Sequence, residues 1–93
     1  MSKRELLLDE ARSAYGQSQW SPARAALREA PADQPLEADD LERLAWSCRW
    51  DGDHDGYLNA LEPAEVSYAA LSESAGAARM ALEQAEVFAR ETV

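Results

Sequence analysis

The run Asp51-Gly52-Asp53-His54-Asp55-Gly56-Tyr57-Leu58-Asn59-Ala60-Leu61-Glu62 is the stretch whose residue types and spacing could do inorganic chemistry. Asp51, Asp53 and Asp55 would offer carboxylate oxygens at alternate positions, Tyr57 its backbone carbonyl, Asn59 a bridging water and Glu62 both of its oxygens. Gly56 would permit the sharp turn such a wrap needs, and Leu58 takes the usual apolar place. The cation that suits an all-oxygen cage of this kind is calcium.

The spacing satisfies the EF-hand template D-x-[DN]-x-[DN]-G-x5-E at every specified position. The flanks fit it less well. Trp50 is well placed, but Arg43 and Ser47 stand where apolar residues pack between the two helices of such a hand, and Pro63 stands where a bulky apolar residue begins the second stripe. No second loop is present, and these sites usually work in pairs. The competing reading makes Gly52-Asp53-His54 an ordinary helix-helix turn, with Asp55 near the start of the next helix, where its charge favours the dipole. The sequence favours the turn, with single-site calcium binding by Asp51, Asp53, Asp55, Tyr57, Asn59 and Glu62 as the alternative. His54, the one histidine, could switch near neutral pH or hold a transition metal, but reads more simply as an exposed turn residue. Enzyme chemistry has no constellation to rest on. There is one histidine, one cysteine, no glycine-rich phosphate loop and no Ser-His-Asp arrangement in a plausible context.

The elements that must position these residues are helices. Alanine, leucine, glutamate and arginine dominate, β-branched residues are scarce, and no stretch alternates with period two. The spacing predicts a first helix over about residues 3–15 with Leu7, Ala11 and Ala14 on one face. A second follows Ser21-Pro22, read as an N-cap and a proline at the first helical position. Pro31 and Pro35 bracket a connection. The third helix carries Leu41, Leu44, Ala45 and Cys48 on one side, and the fourth spans about residues 55–71 with an interruption at Pro63. A fifth begins near Ser74 with Ala78, Ala81, Leu82, Ala85 and Phe88 as its apolar stripe.

A shift of 34 residues lays Leu7 on Leu41, Ala11 on Ala45, Ala14 on Cys48, Leu27 on Leu61 and Ala30 on Ala64. A further shift of 37 lays Leu44, Ala45 and Cys48 on Ala81, Leu82 and Ala85, a weaker match in an alanine-rich helix. With Trp20, Ala23, Pro35 and Gly52 also in place, these positions resemble the tetratricopeptide repeat, from which Tyr57 and Pro63 depart. More narrowly, Asp39-Asp40-Leu41-Glu42-Arg43-Leu44-Ala45-Trp46 and Ala75-Gly76-Ala77-Ala78-Arg79 resemble the degenerate repeats beside LuxR-type helix-turn-helix domains and class III nucleotide cyclase domains of bacterial regulators. The resemblance implies a partner-binding segment of a signalling or transcription-regulatory protein.

The expected fold is therefore all-α, a single domain of about five helices stacked as a short tetratricopeptide-like solenoid. Its units fall at about residues 4–35 and 38–71, with a capping helix over 74–92. Stacked pairs share a core and leave a groove lined by the first helix of each pair, for which Arg12, Arg43, Ser47 and Trp50 are the candidate lining. Trp46 and Trp50, four apart, form a candidate aromatic platform, whereas Trp20 reads as core. The 18 acidic against 9 basic side chains give a net charge of −9. Such a charge repels phosphate backbones and anionic lipid, and complements a basic peptide or protein surface. A lone Cys48 among apolar neighbours reads as a buried, inert thiol, and no apolar run is long enough for a membrane span. The expectation is a cytoplasmic protein that needs no cofactor, binds a protein or peptide, and is able to pair with a second copy through an exposed apolar end.

Overall fold

The computed structural model describes residues 2–30 and 34–91. It holds five helices, α1 (Lys3–Gly16), α2 (Trp20–Glu29), α3 (Ala38–Trp50), α4 (His54–Ala70) and α5 (Ser74–Glu91), and among the described residues no strand. Pro31 and Thr92, which bound the expected connection and cap, lie outside these residues. None of the helices is long and apolar enough to cross a membrane.

Local chemistry sets the ends. Ser2 caps α1, its hydroxyl accepting from the Glu5 N–H at 3.1 Å, and Asp53 caps α4, its Oδ1 accepting from the Gly56 N–H at 3.0 Å. Three turns share one geometry. Their middle residues Ser18, Gly52 and Ser72 have φ of 58°, 82° and 59°. The next residue of each donates its N–H five residues back: Gln19 to Ala14 at 2.8 Å, Asp53 to Cys48 at 2.8 Å and Glu73 to Tyr68 at 2.9 Å. Only Gly52 meets the left-handed conformation without a Cβ penalty. The turns at 17–19 and 51–53 stand 34 positions apart, the same offset found in the sequence.

Two expected boundaries differ. α2 begins at Trp20, so Ser21 is not its cap and Pro22 sits within the first turn, where its missing N–H has no intrahelical partner to lose. α4 runs unbroken through Pro63, which is exposed, and the residues on either side of it, Ala60, Leu61 and Ala64, hold the helix in the core. Burial of that face outweighs the roughly 3 kcal/mol that an interior proline costs.

Each helix packs on the next, and α1 also touches α3. The larger core joins α3, α4 and α5 through Ala45, Cys48, Tyr57, Leu61, Ala64, Tyr68, Met80 and Val87. A smaller one joins α1 and α2 through Leu7, Leu8, Ala11, Ala26 and Leu27. Leu44, half-buried, packs against both. Each residue pair that the 34-residue shift superposes includes at least one buried member, and Ala11 and Ala45 are both fully enclosed. Burial pushes the Cys48 thiol pKa up.

The fifth helix reverses its expected stripe. Gly76, Met80 and Val87 face the body, whereas Ala78, Ala81 and Ala85 are exposed, with Leu82 at 60% and Phe88 at 70%. The 37-residue alignment therefore fails, because a helix apolar on both sides gives spacing no means of choosing a face. Volume chooses instead. Gly76 has no Cβ where one would meet the Tyr68 ring, and that gap lets α5 lie close on α4.

Candidate functional site

Along α1, α3 and α5 runs a trough whose centre is a hollow of ≈350 Å³ lined by Tyr15, Asp39, Glu42, Arg43, Tyr68 and Arg79. A second hollow of ≈520 Å³, lined by Glu37, Ala38, Asp39, Ser67, Ala70, Leu71 and Glu73, continues it past the shared Asp39 to the start of α3 and the end of α4. The first is polar, while the second sets the buried Ala38 and the exposed Ala70 and Leu71 beside the acidic Glu37, Asp39 and Glu73.

Glu42 is the hub. Its carboxylate accepts from Arg79 Nε at 3.2 Å and Nη2 at 2.9 Å, from Tyr68 Oη at 2.7 Å and from Trp46 Nε1 at 3.0 Å. The Tyr68 hydroxyl also lies 2.9 Å from Asp39 Oδ1, so two carboxylates share one proton donor. Burial pushes the Glu42 pKa upward, but the hydrogen bonds from Arg79, Tyr68 and Trp46 and the Arg79 charge outweigh it and bring the value down to about 2. Burial and the same carboxylates hold the Tyr68 hydroxyl well above the ordinary phenol range. The hub is thus ionised and fixed at neutral pH.

Of the four expected groove residues, the fold brings two together. Arg12 donates to Asp40 from Nε at 3.1 Å and Nη2 at 2.8 Å, and Arg43 donates to Asp40 Oδ1 at 2.8 Å. Asp40 itself is fully buried. Trp50 is exposed at the far end of α3 and lies against Arg49, whose guanidinium carbon sits 5.5, 5.3 and 5.5 Å from the Trp46, Trp50 and Tyr57 ring centroids. The aromatic platform is therefore occupied by an internal cation, which Glu83 also binds at 3.0 Å. Burial and the hydrogen bond to Glu83 push the Tyr57 phenol up to about 12. Trp20 is half-buried and meets Tyr15 edge to face at 5.5 Å.

Ser47 corrects the groove assignment, because it is fully buried and its hydroxyl finds no hydrogen-bond partner among the described residues. It faces the interior, two helical turns along from Asp40. Ser47→Ala is expected to raise stability by about 1–2 kcal/mol, by removing a desolvated hydroxyl and improving helix propensity. Urea melts should show a higher midpoint at unchanged slope; a lower midpoint would mean that the hydroxyl has a partner after all.

The six candidate calcium ligands do not converge. Asp53 is taken up by the α4 cap and by Arg24 at 3.1 Å and Arg28 at 2.6 Å, and Asp51 by Arg24 at 2.7 Å. The backbone bond to Gly56 and the guanidinium of Arg28 lower the Asp53 pKa. Asp55, Tyr57, Asn59 and Glu62 are all helical in α4, and the Tyr57 side chain is buried. Gly56 serves packing, since a Cβ there would meet Arg28 and Asp53. Among the described residues no group of three or more His, Cys, Asp or Glu side chains is placed to hold a metal ion. The imidazole of His54 lies 3.3 Å from Glu91 at the surface.

The hub residues Asp39, Glu42, Tyr68 and Arg79 were not among the sequence candidates. Asp39, Glu42 and Trp46 do recur at helical spacing in one of the stretches that carry the repeat resemblance, and Arg79 closes the other. Compared with protein-family models, with curated proteins and with solved structures, the chain matches none.

Proposed function

We propose that the chain is a tetratricopeptide-like interaction module that holds a basic, partly apolar peptide segment of another protein in the trough along α1, α3 and α5. The observation that carries this reading is the pair of hollows joined at Asp39. Glu37, Asp39 and Glu73 supply the acidic charge that faces them, because Glu42 and Arg79 pair with each other and Arg43 pairs with Asp40. Acidic side chains beside exposed apolar ones suit a lysine or arginine flanked by an aliphatic residue, and the chain's charge of −9 steers such a partner in. The matching turns and matching burial at a 34-residue offset support nested helix pairs with α5 in the place of a further first helix. A regulator or nucleotide cyclase as the parent protein rests on the sequence resemblance. Calcium binding would require the first turns of α4 to unwind and Asp51 and Asp53 to leave Arg24 and Arg28, so the groove reading is the better supported.

A library of fluorescent peptides graded in charge tests the proposal by anisotropy. Basic amphipathic members should bind with Kd on the order of micromolar, as small polar interfaces do. Asp39→Lys and Glu73→Lys should each weaken binding by about tenfold or more while circular dichroism stays unchanged. Equal binding of acidic and basic peptides, or none at all, would refute it. Calcium added alone to the same titration should change nothing.

A further inference from the structure

At the opposite end of α3 from Asp39, the turn into α4 meets the last turn of α5 around a hollow of ≈270 Å³ lined by Arg49, Gly52, His54, Tyr57 and Arg90. Two guanidiniums and an imidazole line it, and no carboxylate does. That is unexpected in a chain with two acidic side chains for every basic one. The pairing of the arginines sharpens the contrast. Every other arginine among the described residues donates to a carboxylate or a backbone carbonyl. Arg90 has no such bond among the described residues, although Glu86 stands four positions before it, the spacing at which charges pair along a helix. Arg49 takes its hydrogen bonds, to Tyr57 and Glu83, through Nη1, which leaves its other nitrogens uncommitted among the described residues.

The geometry points to a binding site for one small oxyanion, a phosphate or a carboxylate group, received by Arg90 and Arg49. Guanidiniums present planar sets of N–H donors that match the spacing of such oxygens. Gly52 puts no side chain over the hollow, and a Cβ there would meet nothing. The acids that come near are held elsewhere: Glu83 by Arg49 and Tyr57, Glu91 by His54, and Asp51 and Asp53 by Arg24 and Arg28. Asp55 and Glu86 stand on the flanking helices without lining the hollow. Size and overall charge then narrow the ligand. The space admits an oxyanion with a few attached atoms, and a chain of charge −9 repels polyanions such as nucleic acid or an anionic lipid surface. A small molecule with one or two negative charges satisfies both conditions. The hollow shares no lining residue with the trough, so this inference does not rest on the peptide reading.

Inorganic phosphate titrated into the whole nitrogen-15-labelled chain, with chloride exchanged out to hold ionic strength at about 0.1 M, tests the site by nuclear magnetic resonance. The amide signals of Gly52, His54 and Arg90 should move along saturable curves, with Kd on the order of millimolar. Acetate in a parallel titration separates the two sources: the tighter of the two anions identifies the site as one for phosphates or for carboxylates. Arg90 is exposed in the last turn of α5, so its replacement leaves the core intact. Arg90→Glu should weaken binding by about tenfold or more with circular dichroism unchanged, and Arg90→Lys, which keeps the charge and loses the fork, should fall between that variant and wild type. Shifts that stay linear for both anions, shifts that chloride alone reproduces, or an Arg90→Glu chain that binds as tightly as wild type would overturn the proposal.

Discussion

Asp40→Ala should destabilise the protein by about 3–5 kcal/mol, the cost of breaking a buried ion pair by removing one partner. The Asp40 side chain is 1% exposed and binds two guanidiniums, through two nitrogens of Arg12 and one of Arg43. Its removal strands Arg43, half-buried on the same helix, while Arg12 is exposed enough to turn toward water. A domain of this length has total stability of about 5–14 kcal/mol, so the loss would show directly as a collapse of the urea midpoint followed at 222 nm. Replacing the triad together, with Asp40→Leu, Arg12→Met and Arg43→Met, should recover most of it, because apolar side chains of similar volume often match a buried ionic cluster. A loss below about 1 kcal/mol in Asp40→Ala would mean that the triad behaves as a surface pair.

Acid should unfold the protein through Glu42. Its pKa drops from the ordinary 4.5 to about 2 in the folded chain. A depressed carboxylate stabilises fully above its unfolded pKa and loses that contribution as pH falls toward the folded one, so the window is about pH 4.5 to 2. The difference corresponds to about 3 kcal/mol at most, and to about 2 once partial solvent exposure is allowed for. Wild type should therefore lose that much more stability than Glu42→Gln across the window, the subtraction removing what other carboxylates contribute. Parallel curves for the two proteins would show that Arg79, Tyr68 and Trp46 do not hold the charge in solution.

Much of the architecture was legible because it is local. Leu7, Ala11 and Ala14 recur at helical spacing, and their counterparts Leu41, Ala45 and Cys48 recur again one repeat later, so both helices and their inner faces could be read directly. The turn at 51–53 was legible against a strong competing motif, since Gly52 and the capping Asp53 suit a helical link. What escaped depends on partners distant in sequence. Nothing near Asp51 or Asp53 announces Arg24 and Arg28, which only α2 packing against α3 brings within reach. The Glu42 hub needs Arg79, 37 residues away. In α5 the difficulty was different: small and apolar residues stand on two opposite sides of the helix between polar flanks, and the choice of inner face was made by the fit of Gly76 to the Tyr68 ring, a matter of shape that periodicity does not encode.

The two separate cores have a mechanical meaning. Leu44 is the apolar residue common to both, and much of the remaining attachment of α1 and α2 to α3 is ionic. The amino-terminal hairpin is therefore expected to open as a unit before the rest, its amide protons exchanging faster than those of α3, α4 and α5 in a hydrogen-exchange measurement. Because Tyr15 lies on that hairpin, its opening would widen the trough on one side while Glu42, Tyr68 and Arg79 keep their places on the other.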